Sequence, residues 1–497
     1  MLQSNKQSTS IPISIRERLV CLAASMTLVF TGWSIGGYND WALHLLFLGG
    51  LLTFSFSIAP MPIAWNGYDR RHSFKMNIKR LLRLPFFWLG AVFLVYIFIQ
   101  YINPSVELVR GEGSWWVQSI SPPLGQGFPS SVKADYSEMN ALRALVIHGA
   151  ALMTVWGILV GIQRRKSALI ILWAFVLSGT LMGFLAILQE FSSNEIWGST
   201  QYILWFIESN NRNPWGTFMY RNQGGAYLIL ALVTSGFLYF YFLNRAMLSN
   251  KIGGPYLLCF LLIVTLAGSI WLSLSRSSII LGLGITAVFV IMAFCKSLSS
   301  MYVGGSRSIP IIFFILIILG GTQFAISTNW RSVEIRLKKL ETQIVNIESD
   351  KRYLSAIATW DMSKDRLQYG WGAGSFSYIF PIYQVNYENI WYDSYYKKRL
   401  VYRHAHNDWL QFLSEYGIVG CSILGLLFAS LIGSILINSK ISLVGVSFLC
   451  FGISVIFLNN AFDFIFSSPA YWVAFWGSMI LVSKLLSLEA KLHKKEV

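Results

Sequence analysis

Charged residues are scarce in this chain of 497 residues. Asp, Glu, Lys and Arg together make up 12% of it, about half the fraction typical of soluble domains, whereas hydrophobic residues make up 55%. The mean hydropathy is +0.54. This fraction of charged residues is too small to form the surface of a water-soluble protein. The high fraction of hydrophobic residues excludes an intrinsically disordered chain. The composition therefore indicates a protein that lies in a lipid bilayer.

Cysteine and acidic residues are also few. The five cysteines all lie in apolar runs, where a thiol behaves as a small hydrophobe, so a disulfide scaffold is excluded. The 23 acidic residues face 39 Lys and Arg, which gives a net charge of +16. The basic residues cluster in short segments beside apolar runs, a pattern typical of membrane topology. The positive charge therefore does not indicate a nucleic-acid partner.

About twelve apolar runs approach the roughly 20 residues that a helix needs to cross a bilayer. They lie around residues 19–36, 42–64, 84–101, 142–161, 167–189, 223–243, 256–274, 278–295, 309–327, 418–437, 441–459 and 469–486. No small-residue cleavage site follows the first run, which predicts a retained span instead of a signal peptide. The fold class expected is an all-α polytopic membrane protein.

The connections between these runs predict the topology. Lys and Arg are concentrated in alternate connections and at both termini, which places both termini in the cytoplasm. The division expected is residues 1–327 for nine spans with outer loops, 328–403 for an extracytoplasmic cap loop, and 404–497 for an interfacial helix and three spans. A loop as long as 328–403 is usually functional.

The cap loop has its own helical pattern. Apolar residues at helical spacing predict a first helix through Val333, Leu337, Leu340, Ile344 and Ile347. A second helix is expected from Lys351 to Leu367, before the glycines of residues 370–376. That glycine run is either a phosphate-cradling loop or a turn that shapes the cap. Because no strand precedes it, the turn is the favoured interpretation.

The residues after the cap loop are amphipathic. The run from 404 to 438 is too long for one perpendicular span, and Trp409 and Asp408 fall on different faces of its first third. We expect an interfacial helix that turns into the membrane near Gly417, which leaves His406 at the outer boundary.

Two arginines reach the same boundary. Arg221 stands at the outer start of the sixth span, and Arg276 occupies the tight turn between the seventh and eighth spans. An Arg within an apolar sequence is costly and tends to mark a functional site. The alternative is that both side chains extend to lipid phosphates at the interface. With His406, three separate segments bring two guanidiniums and an imidazole to one face.

These segments resemble the O-antigen ligase family, whose superfamily also includes O-antigen polymerases and bacterial O-oligosaccharyltransferases. Asn407 after His406, then nine residues, then Gly417-Ile418-Val419-Gly420 resembles the family signature. Similar segments are Ser275-Arg276-Ser277-Ser278, the Asn222 region that opens a span, and Gly370-Trp371-Gly372-Ala373-Gly374-Ser375-Phe376. The resemblance covers roughly residues 210–440. It implies a GT-C-like, inverting-type glycosyltransferase that acts without metal on undecaprenyl-pyrophosphate-linked glycans.

The residue types suit that chemistry. Arg binds phosphate oxygens with a planar fork and keeps its charge, so Arg276 and Arg221 are the candidates for the donor pyrophosphate. A neutral imidazole can take a proton from a hydroxyl, which makes His406 the candidate catalytic base. Secondary candidates are Arg352, Arg403, His404, Asn407 and Asp463. No Asp-x-Asp motif occurs, so neither a metal nor another cofactor is expected.

The expected partners are an undecaprenyl-pyrophosphate-linked glycan donor, a lipid-linked or glycan acceptor and the lipid bilayer. The location implied is the bacterial cytoplasmic (inner) membrane, with the active site on its outer face. Ligation is the first choice of reaction, because the cap loop has twelve basic and eight acidic residues and suits an anionic acceptor. An O-antigen or exopolysaccharide polymerase remains the alternative. A protein O-oligosaccharyltransferase is less favoured. A transporter is also less favoured, because the spans are nearly free of charge.

Overall fold

The computed structural model describes residues 14–60, 70–192, 202–209, 214–249, 253–302, 334–335, 350–393 and 398–496. The main helices in these ranges are α1 (Ile15–Thr31), α2 (Asp40–Ile58), α3 (Arg70–Leu82), α4 (Pro85–Ile102), α5 (Ala141–Gly161), α6 (Arg165–Ser192), α7 (Arg221–Leu248), α8 (Pro255–Leu272), α9 (Arg276–Tyr302), α10 (Lys351–Asp365), α11 (Phe376–Gln384), α12 (Glu388–Trp391), α13 (Asp408–Leu436), α14 (Leu443–Asn460) and α15 (Pro469–Glu496).

The expectation of an all-α polytopic membrane protein is confirmed. Within the described ranges, ten helices are long and apolar enough to cross a membrane: α2, α4 to α9, and α13 to α15. The 17 residues of α1, Ile15–Thr31, overlap the first predicted span, which was placed at 19–36. The predicted span at 309–327 and the first cap helix, with Val333, Leu337, Leu340, Ile344 and Ile347, lie outside the described residues.

The centre of the bundle is α7. In its apolar window 94% of the residues are buried, compared with 28% in α9 and 33% in α2, which lie at the periphery. Glycines allow the helices to approach closely. A Cβ atom at Gly236 of α7 would lie 2.1 Å from the Phe448 ring of α14. The interior is therefore close-packed at the level of the backbone.

Among the residues that the structure describes, three small sheets lie outside the apolar helices, and they were not predicted from the sequence. In the first, β1 (Pro104–Gly111) pairs antiparallel with β2 (Ser114–Ser119) and parallel with β3 (Ser131–Lys133). The others are two-residue hairpins, of β4 (Tyr202–Ile203) with β5 (Ile207–Glu208) and of β6 (Tyr392–Asp393) with β7 (Lys398–Arg399). Strand pairing satisfies backbone groups of connections that form no helix.

A second apolar cluster joins the first sheet to α10 and α11. We call residues 350–393 and 398–403 the cap segment. Val106 and Val132 of the sheet are buried against Met362 of α10 and Phe376 of α11. The helix predicted from Lys351 is observed as α10, and the side chain of Asp350 caps it by accepting from the backbone N–H of Arg352, at 2.9 Å.

The predicted turn near Gly417 is also observed. Gly417 interrupts α13 with φ +60° and ψ −172°. The two N–H groups that follow it donate to the carbonyls of Leu367 and Gln368, at 2.8 and 3.1 Å, from Ile418 and Val419 respectively. The cap segment thus replaces the helical hydrogen bonds that the break removes, and it fixes the direction of the first third of α13.

The glycine run of residues 370–376 also contacts α13, just before Gly417. The N–H groups of Trp371 and Gly372 donate to the carbonyls of Ser414 and Glu415, at 2.8 and 2.9 Å. The Gly374 N–H donates to the Glu415 carboxylate at 3.0 Å. These groups are engaged with α13, so the run is a structural turn, as the favoured interpretation held, and not a phosphate-cradling loop.

We expect Gly417→Ala to destabilise the protein by several kcal/mol. The residue has a positive φ, and its added Cβ would lie 2.5 Å from the backbone of Gln368 and Gly370. Thermal unfolding in detergent measures the effect. Gly425→Ala is the matched control, because a Cβ there meets nothing within 4 Å on the same helix. Equal melting temperatures of the two variants would contradict the structural role of the turn.

Candidate active site

The candidate site lies where the N-terminal ends of α7, α9, α10 and α13 meet the loop between α14 and α15. At its centre is Asp463 of that loop, whose side chain is fully buried. The loop is held by several elements: the Phe466 N–H donates to Asp408 at 2.7 Å, and Gln223 Nε2 donates to the Phe464 carbonyl at 3.0 Å. Asp463 is therefore placed by the fold and not by a mobile connection.

Four side chains surround the Asp463 carboxylate. Asn222 Nδ2 donates to Oδ2, and the Tyr220 hydroxyl donates to Oδ1 at 3.5 Å. Arg352 Nη2 lies 3.9 Å from Oδ2 and His406 Nδ1 lies 3.8 Å from Oδ1. Burial on its own would raise the pKa of Asp463, but the His406 imidazole and the Arg352 charge outweigh it and hold that pKa below its usual range. The carboxylate is therefore ionised.

His406 has a strained backbone. Its φ is +55°, in the left-handed region that non-glycine residues rarely adopt. The residue before it is pinned, since the Ala405 N–H donates to Gln411 Oε1 at 3.2 Å and the Ser355 hydroxyl donates to the Ala405 carbonyl at 3.3 Å. The residue after it, Asn407, caps α13 by accepting from the Leu410 N–H at 3.1 Å. Such strain persists only where the surroundings enforce it, and it tends to occur at functional sites.

The ring of Phe464 contacts both His404 and His406. It stacks on Tyr220 with centroids 4.8 Å apart and on His404 with centroids 4.6 Å apart. His406 meets it edge-on at 4.8 Å. Burial, followed by the electrostatic effect of the neighbouring His406, lowers the pKa of His404 to about 4, so His404 is neutral at physiological pH. One quarter of the His406 side chain is exposed, and its Nδ1 is not part of that exposed surface.

Three arginines lie around this centre. Arg352 donates from Nη1 to the Phe462 carbonyl at 3.0 Å. Arg276, the half-buried first residue of α9, is close enough to interact electrostatically with Arg352, Asp350 and Tyr220. Arg221, the first residue of α7, acts on the neighbouring Tyr220 hydroxyl, as do Arg352 and Asp463. The structure thus brings Arg221, Arg276, Arg352, His406 and Asp463 into one cluster.

The remaining sequence candidates lie at the edge of the cluster. His404 touches it through the Phe464 ring. Asn407 uses its side-chain oxygen to cap α13. Arg403 is exposed, and its charge acts on His404. None of these three side chains contacts Asp463 among the contacts of the described residues.

Sequence reasoning missed Tyr220 and Phe464 as members of the site. Both are aromatic residues beside apolar runs, where aromatic residues are common in any membrane protein, so no local signal set them apart. Asn222 was noted only as part of a segment and not as a partner of Asp463, from which it is separated by 241 residues. Among the described residues, no group of three His, Cys, Asp or Glu side chains converges as metal ligands would.

Comparison with known protein families gives a match over part of the chain. A family model described as O-antigen ligase matches residues 261–425. The match includes the segments that carry Arg276, Arg352 and His406, whereas Arg221 and Asp463 lie outside it. No curated protein sequence is significantly similar to the chain.

Proposed function

We propose that this multi-pass membrane protein, which matches the O-antigen ligase family over residues 261–425, is an enzyme of the ligase or polymerase type. In this proposal it transfers a glycan from an undecaprenyl-pyrophosphate-linked donor to an acceptor hydroxyl. The observation that carries the proposal is the cluster itself. A strained histidine lies beside a buried carboxylate, Arg352 lies on the other side of that carboxylate, and Arg221 and Arg276 lie near Tyr220. This arrangement combines a base with a site for a phosphate leaving group.

His406 is the catalytic base in this proposal. Asp463 lies on the Nδ1 side of the ring, which favours the neutral tautomer with its proton on Nδ1 and leaves Nε2 as the acceptor. Nε2 takes the proton of the acceptor hydroxyl while the hydroxyl oxygen forms its bond to the anomeric carbon. The bond from that carbon to the pyrophosphate oxygen breaks on the opposite face, so the configuration inverts.

The arginines stabilise the leaving group. Undecaprenyl pyrophosphate departs with the electron pair of the broken bond, and guanidiniums bind phosphate oxygens in a fixed, charged fork. Arg276 and Arg221 begin helices α9 and α7, so the partial positive charge of each helix N-terminus adds to the attraction. Arg352 links this group to Asp463 and supplies a third charge. Arg403 is exposed and His404 stacks on Phe464 at the edge of the cluster, so neither contacts the leaving group in this proposal.

The same composition supports catalysis without a metal. An Mg or Mn site gathers several carboxylates, whereas the central carboxylate here, Asp463, is engaged by Asn222, Arg352 and His406. The positive charge that a metal supplies in other glycosyltransferases comes from arginines in this proposal. Transfer by the purified protein should accordingly continue in EDTA, and loss of activity that Mg restores would overturn this point.

We choose ligation to a lipid-linked or glycan acceptor over polymerisation. The cationic cap loop favours an anionic acceptor, although the pyrophosphate of a polymerase acceptor is anionic as well. Purified enzyme given lipid-pyrophosphate glycan alone should leave that substrate unextended. Addition of a distinct lipid-anchored core should start turnover. A ladder of lengthened products from the single substrate would instead establish polymerisation, and turnover only with an added protein would establish protein glycosylation.

The proposed location is the bacterial cytoplasmic (inner) membrane, with both termini inside and the cluster at the outer face. The alternation of Lys and Arg among the connections supports it. Single-cysteine labelling from outside intact spheroplasts should therefore modify a cysteine placed at the exposed Tyr392, but not one placed at the exposed Lys166. Labelling of position 392 only after permeabilisation would put the cluster on the wrong side for this donor.

A further inference from the structure

A cavity of about 600 Å³ lies at the opposite end of α7 from the Asp463 cluster. Arg221 and Arg245 are 24 residues apart on this helix, which corresponds to about 36 Å at 1.5 Å per residue. The ends of α6, α8 and α15 complete the cavity through Arg165, Pro255 and Glu489. The proposed glycan transfer makes no use of it.

The polar side of the cavity has an unbalanced charge. Arg165 Nη1 and Arg245 Nη1 both donate to Glu489 Oε1, at 3.2 and 2.9 Å, and the Tyr241 hydroxyl donates to the same oxygen. Two guanidiniums therefore share one carboxylate, which leaves a net charge of +1. Among the contacts of the described residues, each guanidinium uses only its Nη1 group on Glu489, and the remaining N–H groups suit an anion.

The rim of the cavity is apolar. The Leu248 side chain is 77% exposed and Leu492 is 45% exposed, at the ends of two membrane helices. The N-terminus of α8 opens on the same space and adds its partial positive charge to that of the arginines. A positive interior behind exposed leucines fits a molecule that carries an anionic head and hydrocarbon chains.

We propose that this cavity binds the phosphate of an anionic phospholipid from the leaflet at that end of the bundle. The phosphate lies between Arg165 and Arg245, and the acyl chains run along Leu248 and Leu492. Basic pockets between membrane helices recognise lipid headgroups in this way. The leucines favour a lipid over free phosphate, because a soluble anion gains nothing from an apolar rim.

Native mass spectrometry of the full-length protein tests the proposal. The purified protein is released from micelles that contain equal amounts of phosphatidylglycerol and phosphatidylcholine. We expect the wild type to retain phosphatidylglycerol preferentially, and Arg165→Gln/Arg245→Gln to retain at least tenfold less of it. The control Arg18→Gln/Lys79→Gln removes the same charge from exposed positions outside the cavity and should change retention less than twofold. Equal losses in the two double variants would overturn the site.

A third variant distinguishes loss of binding from misfolding. Glu489→Gln keeps an oxygen acceptor for the arginines but removes the competing negative charge, so phosphatidylglycerol retention should rise. A defective fold would lower it. Unchanged or lower retention in this variant counts against the proposal.

A comparison with inorganic phosphate shows whether the cavity binds a lipid phosphate or a soluble anion. Phosphatidylglycerol should raise the melting temperature of the wild type, and millimolar inorganic phosphate alone should not. If phosphate alone raises it equally and displaces the lipid, the site belongs to a soluble anion and the lipid assignment is wrong.

Discussion

His406→Gln should lower the rate of glycan transfer by about 10²–10⁴-fold, the range that a positioned general base contributes. Gln is similar in size and keeps hydrogen-bonding atoms, so the contact with the Phe464 ring changes little. It cannot accept a proton from the acceptor hydroxyl. Single-turnover assays with a lipid-linked donor measure the rate, and donor binding measured separately should remain within about threefold of the wild type.

The matched control is His44→Gln, which changes an exposed histidine of α2 that pairs with Tyr136. It should leave transfer unchanged. His404→Gln gives a second comparison, because His404 stacks on Phe464 but lies farther from Asp463; its effect should be the smaller of the two. A His406→Gln enzyme with more than one tenth of the wild-type rate would show that the base lies elsewhere.

The sequence predicted those parts of the site that depend on local signals. Apolar runs locate the spans, and two of them begin at Arg221 and Arg276. The amphipathic pattern after residue 404 predicted the first third of α13 as a separate part of the helix, and the turn was predicted near Gly417, where it is observed. Each of these signals lies within one or two helical turns, where hydropathy and glycine chemistry determine the outcome.

The contacts of Asp463 could not be predicted from such local signals. Asn222 and Arg352 lie 241 and 111 residues earlier in the chain, and only the packing of α7, α10 and the α14–α15 loop brings them to one carboxylate. Histidine is enriched among the few non-glycine residues with positive φ, but nothing in the local sequence singles out His406 for that conformation. Tertiary packing enforces that conformation, through Ala405 and the cap of α13. The site was therefore predictable in its residue types but not in its connections.

The second large effect is expected at Arg276. Arg276→Ala should reduce kcat/KM for the donor by about 10²–10³-fold, the loss seen when one donor to a developing negative charge is removed. Unlike His406→Gln, it should also weaken donor binding, because the pyrophosphate is charged before the bond breaks as well as afterwards. Arg276→Lys should restore only part of the loss, since an ammonium keeps the charge but cannot form the bidentate contact.

Arg110→Ala is the control for charge. Arg110 is an exposed arginine of β1 that pairs with Glu138, so its removal lowers the net charge equally without touching the cluster. It should change kcat/KM less than twofold at physiological ionic strength, where exposed charges are screened beyond about 8 Å. If Arg110→Ala and Arg276→Ala reduce kcat/KM equally, the arginines act through the overall field of the protein. If Arg276→Lys is as active as the wild type, a point charge suffices at this position and the bidentate contact with pyrophosphate is wrong.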